Sequence, residues 1–77
     1  MSITVRYFAS LREQLGRDED RLEHRESDTA AGIWSRAVPE REMPERVLIA
    51  INQEYADCDQ PVRDGDEVAF FPPVTGG

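Results

Sequence analysis

The most hydrophobic stretch of the chain is Val47-Leu48-Ile49-Ala50-Ile51, and the rest of the fold has to bury it. An unbroken apolar run of this length predicts a central strand that is buried on both faces. A charged loop at residues 40–46 precedes this strand, and a short turn and an edge strand are expected at residues 53–58. A chain of 77 residues has the size of one domain, so its other elements have to cover this strand.

The first strand is predicted at residues 3–8, where apolar and polar side chains alternate. One face of this strand carries Ile3, Val5 and Tyr7. Thr4, Arg6 and Phe8 fall on the other face, so Phe8 is expected to point away from the core.

Two helices are predicted between the strands. A capping-box pattern at residues 10–13 and a stop at Gly16 indicate a short helix after the first strand. The main helix begins at Asp28 or Thr29 and ends at Pro39. Its core face is formed by residues at helical spacing, namely Ala30, Ile33, Trp34, Ala37 and Val38.

The last strand is predicted at residues 67–71. If Phe70 faces the core, Phe71 points to the opposite side, where it meets Phe8 if the first and last strands are neighbours. Tyr55 on the adjacent edge strand is expected to join them. An exposed aromatic patch ringed by acidic residues is typical of a protein-docking surface, and the alternative is a small apolar cluster covered by a loop.

The order of the elements indicates an α+β fold. A charged segment at residues 18–26, with Leu22 as its only large apolar residue, is expected to form a solvated edge strand between the two helices. The chain then suits the β-grasp, or ubiquitin-like, fold: a mixed sheet of four to five strands, one main helix packed on it, and a short helix after the first strand. In that fold the first and last strands pair at the centre, which periodicity alone does not predict.

Composition and charge restrict the classes of partner. Hydrophobic residues make up 39% and charged residues 32%, as in a small soluble globular domain. The formal net charge of −7 argues against nucleic acid or an anionic membrane as partner and favours a basic protein surface. With no bilayer-spanning run, no signal peptide and the single Cys58, a cytoplasmic location is expected.

Residues suited to catalysis or metal binding are few. The only histidine, His24, lies in the charged edge strand and is interpreted as a surface residue. His24 and Cys58 are too few for a zinc site, and no glycine-rich nucleotide motif is present. Cys58 is interpreted as an inert thiol, with a sulfur relay as the alternative. We expect this chain to bind no metal or cofactor itself.

The sequence closes with a rigid exit and a diglycine, Pro72-Pro73-Val74-Thr75-Gly76-Gly77. Each proline fixes φ at about −65° and lacks an N–H, so the last strand stops and the chain continues in an extended path. We expect a domain at residues 1–73 and a flexible tail at residues 74–77, with a reach from Pro73 of roughly 17 Å at about 3.4 Å per residue. Glycines without a Cβ can enter a narrow channel, whereas the alternative is an ordinary frayed end.

All nine basic residues are arginine. A bias toward arginine codons is one explanation. The functional alternative is that a chain with an activated terminal carboxylate has no lysine amine of its own to attack it.

The segment from Asp64 to Gly77 resembles the C-terminus of the molybdopterin synthase small-subunit family, the MoaD/ThiS-type ubiquitin-like sulfur carriers. Weaker similarity extends through Tyr7-Phe8-Ala9, Leu11-Arg12-Glu13 and Ala50-Ile51-Asn52-Gln53, and thus covers essentially the whole domain.

The resemblance implies a non-catalytic sulfur-donor subunit in molybdenum cofactor biosynthesis. An activating enzyme that uses ATP and Mg²⁺ would adenylate the Gly77 carboxylate, which is then converted to a thiocarboxylate. In a heterotetramer with the large catalytic subunit, Gly77 would donate sulfur to cyclic pyranopterin monophosphate. The resemblance assigns access of the tail to Gly76, Thr75 and Val74, and docking to Phe8, Tyr55, Phe71, Pro72 and Pro73.

Three other functions remain open from the sequence. Activated Gly77 could be joined to lysines of other proteins, as in a ubiquitin-like modifier. The chain could also carry sulfur for thiamine or for tRNA thiolation, although its Phe-Phe-Pro-Pro segment is closer to the molybdopterin branch. A β-grasp interaction domain with an incidental tail is the third alternative.

Overall fold

Five strands and two helices are formed by residues 2–73, the part of the chain that the computed structural model describes. The strands are β1 (Ser2–Tyr7), β2 (Glu19–Glu23), β3 (Leu48–Ile51), β4 (Glu54–Ala56) and β5 (Glu67–Phe71), and the helices are α1 (Ala9–Leu15) and α2 (Ala30–Ala37). Within this range, neither helix has the length and apolar character needed to cross a membrane. The predicted tail at residues 74–77 lies outside the described residues.

The strands form one mixed sheet in the order β2-β1-β5-β3-β4. β1 and β5 are parallel, and the other neighbours are antiparallel. The expected α+β arrangement of the β-grasp type is confirmed, including the pairing of the first and last strands.

The position of the hydrophobic segment at residues 47–51 differs from the prediction. β5 is the middle strand of the sheet, and β3 lies between β5 and the short edge strand β4. Ile49 and Ala50 are buried on opposite faces, whereas Leu48 and Ile51 are only half-buried. Leu48 has no partner on β4, because β4 is only three residues long and pairs with residues 49–51.

An aromatic cluster fills the core between α2 and the sheet. The Trp34 and Phe70 rings meet edge to face with centroids 5.0 Å apart, and Tyr7 packs against both rings. Trp34 also donates a hydrogen bond from Nε1 to the carbonyl of Arg41 (3.0 Å), so its polar atom is satisfied. The interpretation of Trp34 as a core residue is confirmed.

The two helices begin in different ways. Thr29 caps α2, because its Oγ1 accepts a hydrogen bond from the Gly32 N–H at 3.1 Å. The capping box predicted for α1 is wrong: Phe8, with extended backbone and no side-chain cap, precedes the helix, and its carbonyl accepts from the Leu11 N–H. Since α1 follows β1 directly, Ser10 already lies in the first turn. Gly16, with φ of 72°, ends α1 as predicted.

A buried phenol links β1 to the start of β2. The Tyr7 hydroxyl donates to Asp20 Oδ2 at 2.8 Å, and Arg17 Nε donates to the same oxygen at 2.6 Å. Burial raises the pKa of the Tyr7 phenol well above its usual value, and the hydrogen bond to Asp20 raises it further. The hydrogen bond to Asp20 also raises the pKa of Arg17, so this ion pair persists through the alkaline range.

We expect the folded domain to lose stability as the pH rises above about 10, and Tyr7→Phe to remove most of this loss. The folded chain holds the Tyr7 proton more tightly than the unfolded chain, whose phenol has a pKa of about 10. The contribution of this group is therefore complete below pH 10 and declines above it, by up to about 1.4 kcal/mol per pH unit. Urea unfolding of both proteins at neutral and alkaline pH measures the difference.

Tyr55→Phe is the matched control, because it removes one phenol from a side chain that is 82% exposed. This variant should keep the alkaline decline of the wild type. A decline that is equally steep in Tyr7→Phe and in the wild type would show that Tyr7 is not its source.

Candidate functional site

The sheet face opposite α2 is open to a partner, and we call it the open face. Strand register places four side chains in one row across it: Arg6 on β1, Ala69 on β5, Ala50 on β3 and Tyr55 on β4. The sequence neighbours of the first three, among them Val5, Tyr7, Val68, Phe70 and Ile49, point to the helix side and form the core. The open face is therefore a direct result of strand alternation.

Two aromatic rings stack at one end of the open face. The Phe8 and Phe71 rings are nearly parallel, with an angle of 8° between their planes and centroids 4.6 Å apart. The Phe8 N–H donates to the Phe70 carbonyl at 3.1 Å, so the pairing of β1 with β5 continues to this point. Both rings are half-buried. The structure thus brings together the two phenylalanines that the alternation of the strands placed on one face.

A pocket of about 310 Å³ lies in the centre of the open face. Its floor contains Ala50 and Ala69, which face each other across the β3–β5 pair and are each 6% exposed. Because both floor residues are small, a hollow remains between the larger side chains that surround them. The complete lining consists of Arg6, Phe8, Ala50, Gln53, Tyr55, Glu67, Ala69 and Phe71.

Tyr55 forms the wall of this pocket opposite Phe8 and Phe71. It is 82% exposed and is the only exposed large hydrophobic residue among residues 2–73. Aromatic residues with an apolar body and a polar tip are frequent anchors of protein interfaces. The placement of Tyr55 on the same face as the two phenylalanines agrees with the sequence analysis, and its role in docking stays a prediction.

The hairpin that carries Tyr55 is braced from β5. Asn52 and Gln53 have positive φ angles of 51° and 70°, as in a tight two-residue hairpin turn. The Asn52 side chain donates to Asp66 Oδ1 at 2.8 Å and accepts from the Glu67 N–H at 3.0 Å. This brace was missed in the sequence analysis, although an Asn at a hairpin turn is a signal for it.

Two charged side chains also line the pocket. Arg6 Nη1 lies 3.9 Å from Glu67 Oε2, and the guanidinium carbon of Arg6 lies 5.4 Å from the centroid of the Phe8 ring. At 3.9 Å the ion pair is too long to be a hydrogen bond, and the position over the ring is favourable for a cation. Sequence analysis placed Arg6 on this face but assigned it no role.

The other predicted site residues lie at the end of β5. Pro72 is half-buried and Pro73 is exposed, and they continue the chain beside the Phe8–Phe71 stack. Val74, Thr75, Gly76 and Gly77 lie outside the described residues. Cys58 is a free, exposed thiol on the segment after β4, and within residues 2–73 no group of three or more potential ligands could hold a metal ion.

The fold and the open face define a ubiquitin-like β-grasp domain with an aromatic surface beside its last strand. The family follows from the sequence: the chain belongs to the ThiS family, whose sequence model matches residues 5–77.

Known relatives extend over nearly the whole chain. The molybdopterin synthase sulfur carrier subunit of Escherichia coli is 36% identical, and the match covers 97% of this chain and 99% of the relative. Among solved structures, SAMP1 from Haloferax volcanii has a TM-score of 0.79 at 27% identity, with 100% of both chains covered. A putative molybdopterin converting factor subunit 1 from Pyrococcus furiosus has a TM-score of 0.74 at 30% identity, covering 96% of this chain and 99% of that one.

Proposed function

We propose that this chain is the sulfur-carrier subunit of a molybdopterin synthase and carries sulfur on the carboxyl group of Gly77. The observation that supports this most directly is the full-length similarity to the E. coli sulfur carrier subunit, at 36% identity. The open face supports the same function, because it offers an aromatic surface for a larger protein beside the strand that leads to the tail.

Activation would begin at an ATP-dependent enzyme that also uses Mg²⁺. The Gly77 carboxylate attacks the α-phosphate of ATP, displaces pyrophosphate and forms an acyl-adenylate, which converts a poor electrophile into a good one. The outer sulfur of an enzyme persulfide then displaces AMP and forms an acyl disulfide with Gly77. A thiol of the activating enzyme cleaves its S–S bond, which leaves an enzyme disulfide and releases the thiocarboxylate. The activating enzyme aligns the phosphate with the nucleophile. This chain contributes the reacting carboxyl group and its position.

Sulfur transfer would take place in the large subunit of the synthase. The open face docks on that subunit through Phe8, Tyr55 and Phe71, and Pro72 and Pro73 direct the chain away from the sheet. Val74 and Thr75 supply the reach, and Gly76 gives access to a narrow channel. The thiocarboxylate sulfur of Gly77 is then donated to cyclic pyranopterin monophosphate, and two carriers are needed for each dithiolene.

The charge of the chain suits both steps. A net charge of −7 steers the domain toward basic surfaces, and channels that bind phosphate groups are basic. The absence of lysine removes the side-chain amines with which an activated Gly77 could react in its own chain. The single exposed Cys58 thiol fits a reducing cytoplasm, where it and a thiocarboxylate would not be oxidised.

A second candidate function is protein modification. Its support is the similarity to SAMP1 of H. volcanii, a small archaeal modifier protein, at 27% identity over the full length of both chains. In this function the activated Gly77 forms an amide bond with a lysine of another protein. The chemistry of activation is shared, so only the acceptor of the activated carboxyl group distinguishes the two candidates.

Intact mass spectrometry of the protein purified from its own cells tests the proposal. We expect a species that is heavier than the unmodified 8.8 kDa chain by about 16 Da, because one carboxylate oxygen has been exchanged for sulfur. A search of the same cells for lysines that carry the segment Asp64–Gly77, which trypsin leaves after cleaving at Arg63, tests the second candidate. Remnants without any heavier free species would assign the chain as a modifier instead of a sulfur carrier.

A further inference from the structure

We propose that the pocket around Arg6 receives an acidic side chain of the partner protein. Arg6 binds this carboxylate, and the contact determines the relative orientation of the two proteins. This inference rests on the proposed docking of the open face. It goes beyond that proposal by giving one position of the interface a specific partner chemistry.

Arg6 differs from the arginines that support the fold. Arg17 donates to the Ala37 carbonyl as well as to Asp20, and Arg36 donates to Asp28 and to the Glu23 carbonyl. Among residues 2–73, by contrast, Arg6 Nε is enclosed by protein and has no acceptor. The Arg6 guanidinium is therefore held on the open face although its Nε lacks a hydrogen-bond acceptor.

The outer part of the Arg6 side chain is open to a partner. The side chain is 44% exposed although its Nε is enclosed, so the exposed part lies elsewhere in the group. The guanidinium rests against the Phe8 ring, which restricts its movement before binding. A planar guanidinium held in this way matches the two oxygens of a carboxylate.

Docking on the open face would remove water from Arg6. Since the guanidinium lies over Phe8, a partner that covers the Phe8–Phe71 stack also covers the cation. A buried charge that lacks a close counter-ion opposes binding strongly. A carboxylate from the partner removes this penalty and forms charge-assisted hydrogen bonds.

The acidic residues of this chain near Arg6 do not replace that carboxylate. Glu67 lies in the pocket, but its nearest oxygen is 3.9 Å from Arg6 Nη1, and the Glu67 side chain remains 36% exposed. Glu19 is paired with Arg6 across β1 and β2, lies on the exposed edge strand, and forms no ion pair with Arg6 within 4.0 Å. A partner carboxylate is therefore the group that pairs with the exposed part of the guanidinium, since the enclosed Nε is out of its reach.

The volume and the surroundings of the pocket favour a single side chain as its occupant. A hollow of about 310 Å³ over two alanines admits one aspartate or glutamate with its neighbouring backbone. The chain is otherwise acidic, with a net charge of −7, so a partner surface that complements it is mainly basic. One acidic residue placed opposite Arg6 then defines a single alignment and disfavours the others.

Binding kinetics with the molybdopterin synthase large subunit of the same organism test the inference. We expect Arg6→Gln to weaken binding at least about 30-fold, mainly through faster dissociation, as for loss of one partner from a buried charge pair. Arg6→Lys should recover part of this loss. The matched control is Arg21→Gln. Arg21 lies on β2, paired with Thr4 of β1 and on the same sheet face as Arg6, but outside the pocket. This variant should change mainly the association rate and its salt dependence.

A charge reversal identifies the partner residue. Arg6→Glu is combined with large-subunit variants in which each surface aspartate or glutamate is replaced by arginine in turn, and one combination should restore binding. If Arg6→Gln behaves like Arg21→Gln, or if no reversal restores binding, the inference is wrong. Phe71→Asp separates this result from failure of the proposed function: if the wild-type chain does not bind, or binds no better than Phe71→Asp, docking of the open face itself is refuted.

Discussion

Deletion of Gly77 should abolish formation of the thiocarboxylate while the domain still folds and still docks. The core and the open face lie within residues 2–73, so this deletion removes neither. It shortens the reach by about 3.4 Å, and a displacement of even 1 Å from the reacting atoms can lower a rate by about 10²-fold. We therefore expect a loss of at least 10²-fold in ATP-dependent adenylation, measured as release of pyrophosphate by the activating enzyme.

The control for this deletion is Thr75→Ser, which keeps the length and the terminal carboxylate. Circular dichroism should give the same unfolding midpoint for the wild type and both variants. Binding to the large subunit separates docking from chemistry, because the deletion should change adenylation far more than affinity. Undiminished adenylation of the shortened chain would refute the role assigned to Gly77.

Phe71→Asp should eliminate docking without unfolding the domain, whereas Phe70→Ala should destabilise the fold strongly. The two residues are adjacent, but Phe70 is fully buried against Trp34, and Phe71 is half-buried on the open face. A charge at position 71 destroys the stack with Phe8 and places a carboxylate within the apolar contact, so we expect affinity to fall by at least about 100-fold. Titration calorimetry with the large subunit measures this loss.

The expected effect of Phe70→Ala is on stability. Truncation of a buried phenylalanine costs about 3–5 kcal/mol, against a total of about 4–12 kcal/mol for 77 residues at about 0.05–0.15 kcal/mol per residue. Thermal unfolding therefore distinguishes the two variants. Unfolding of Phe71→Asp at room temperature would mean that Phe71 supports the core and not a docking surface.

Most of the secondary structure could be predicted because its signals are local. Alternation in β1 and β5 placed Tyr7 and Phe70 inside, and the helical spacing of α2 placed Ile33 and Trp34 inside. The capping box failed because the chain passes from β1 into α1 without a connecting loop, which puts Ser10 inside the helix. A local sequence pattern does not show how many residues separate a strand from the next helix. In this chain that separation determines that Phe8, and not Ser10, is the N-cap residue.

Strand order and the charged part of the site depend on contacts between distant residues. The hydrophobicity of residues 47–51 suggested that β3 is the central strand, but β5 holds that position. A hydrophobic composition indicates that a strand is buried and does not specify which strands are its neighbours. Alternation brought Phe8 and Phe71 to one face, but the position of Arg6 relative to Phe8 and Glu67 depends on side-chain packing. Periodicity predicts the face of a residue and not its contacts on that face.

The parallel pairing of β1 with β5 controls when the sheet can be completed. β5 is the last element of residues 2–73, yet it is the only link between the β2–β1 pair and the β3–β4 hairpin. During synthesis these two halves have no common strand to pair with until residues 67–71 emerge, and such long-range pairing slows folding. If Gly77 is the reactive end, as proposed above, completion of the sheet and release of that end are nearly simultaneous. An activating enzyme that recognises the finished open face would select only chains that have finished folding.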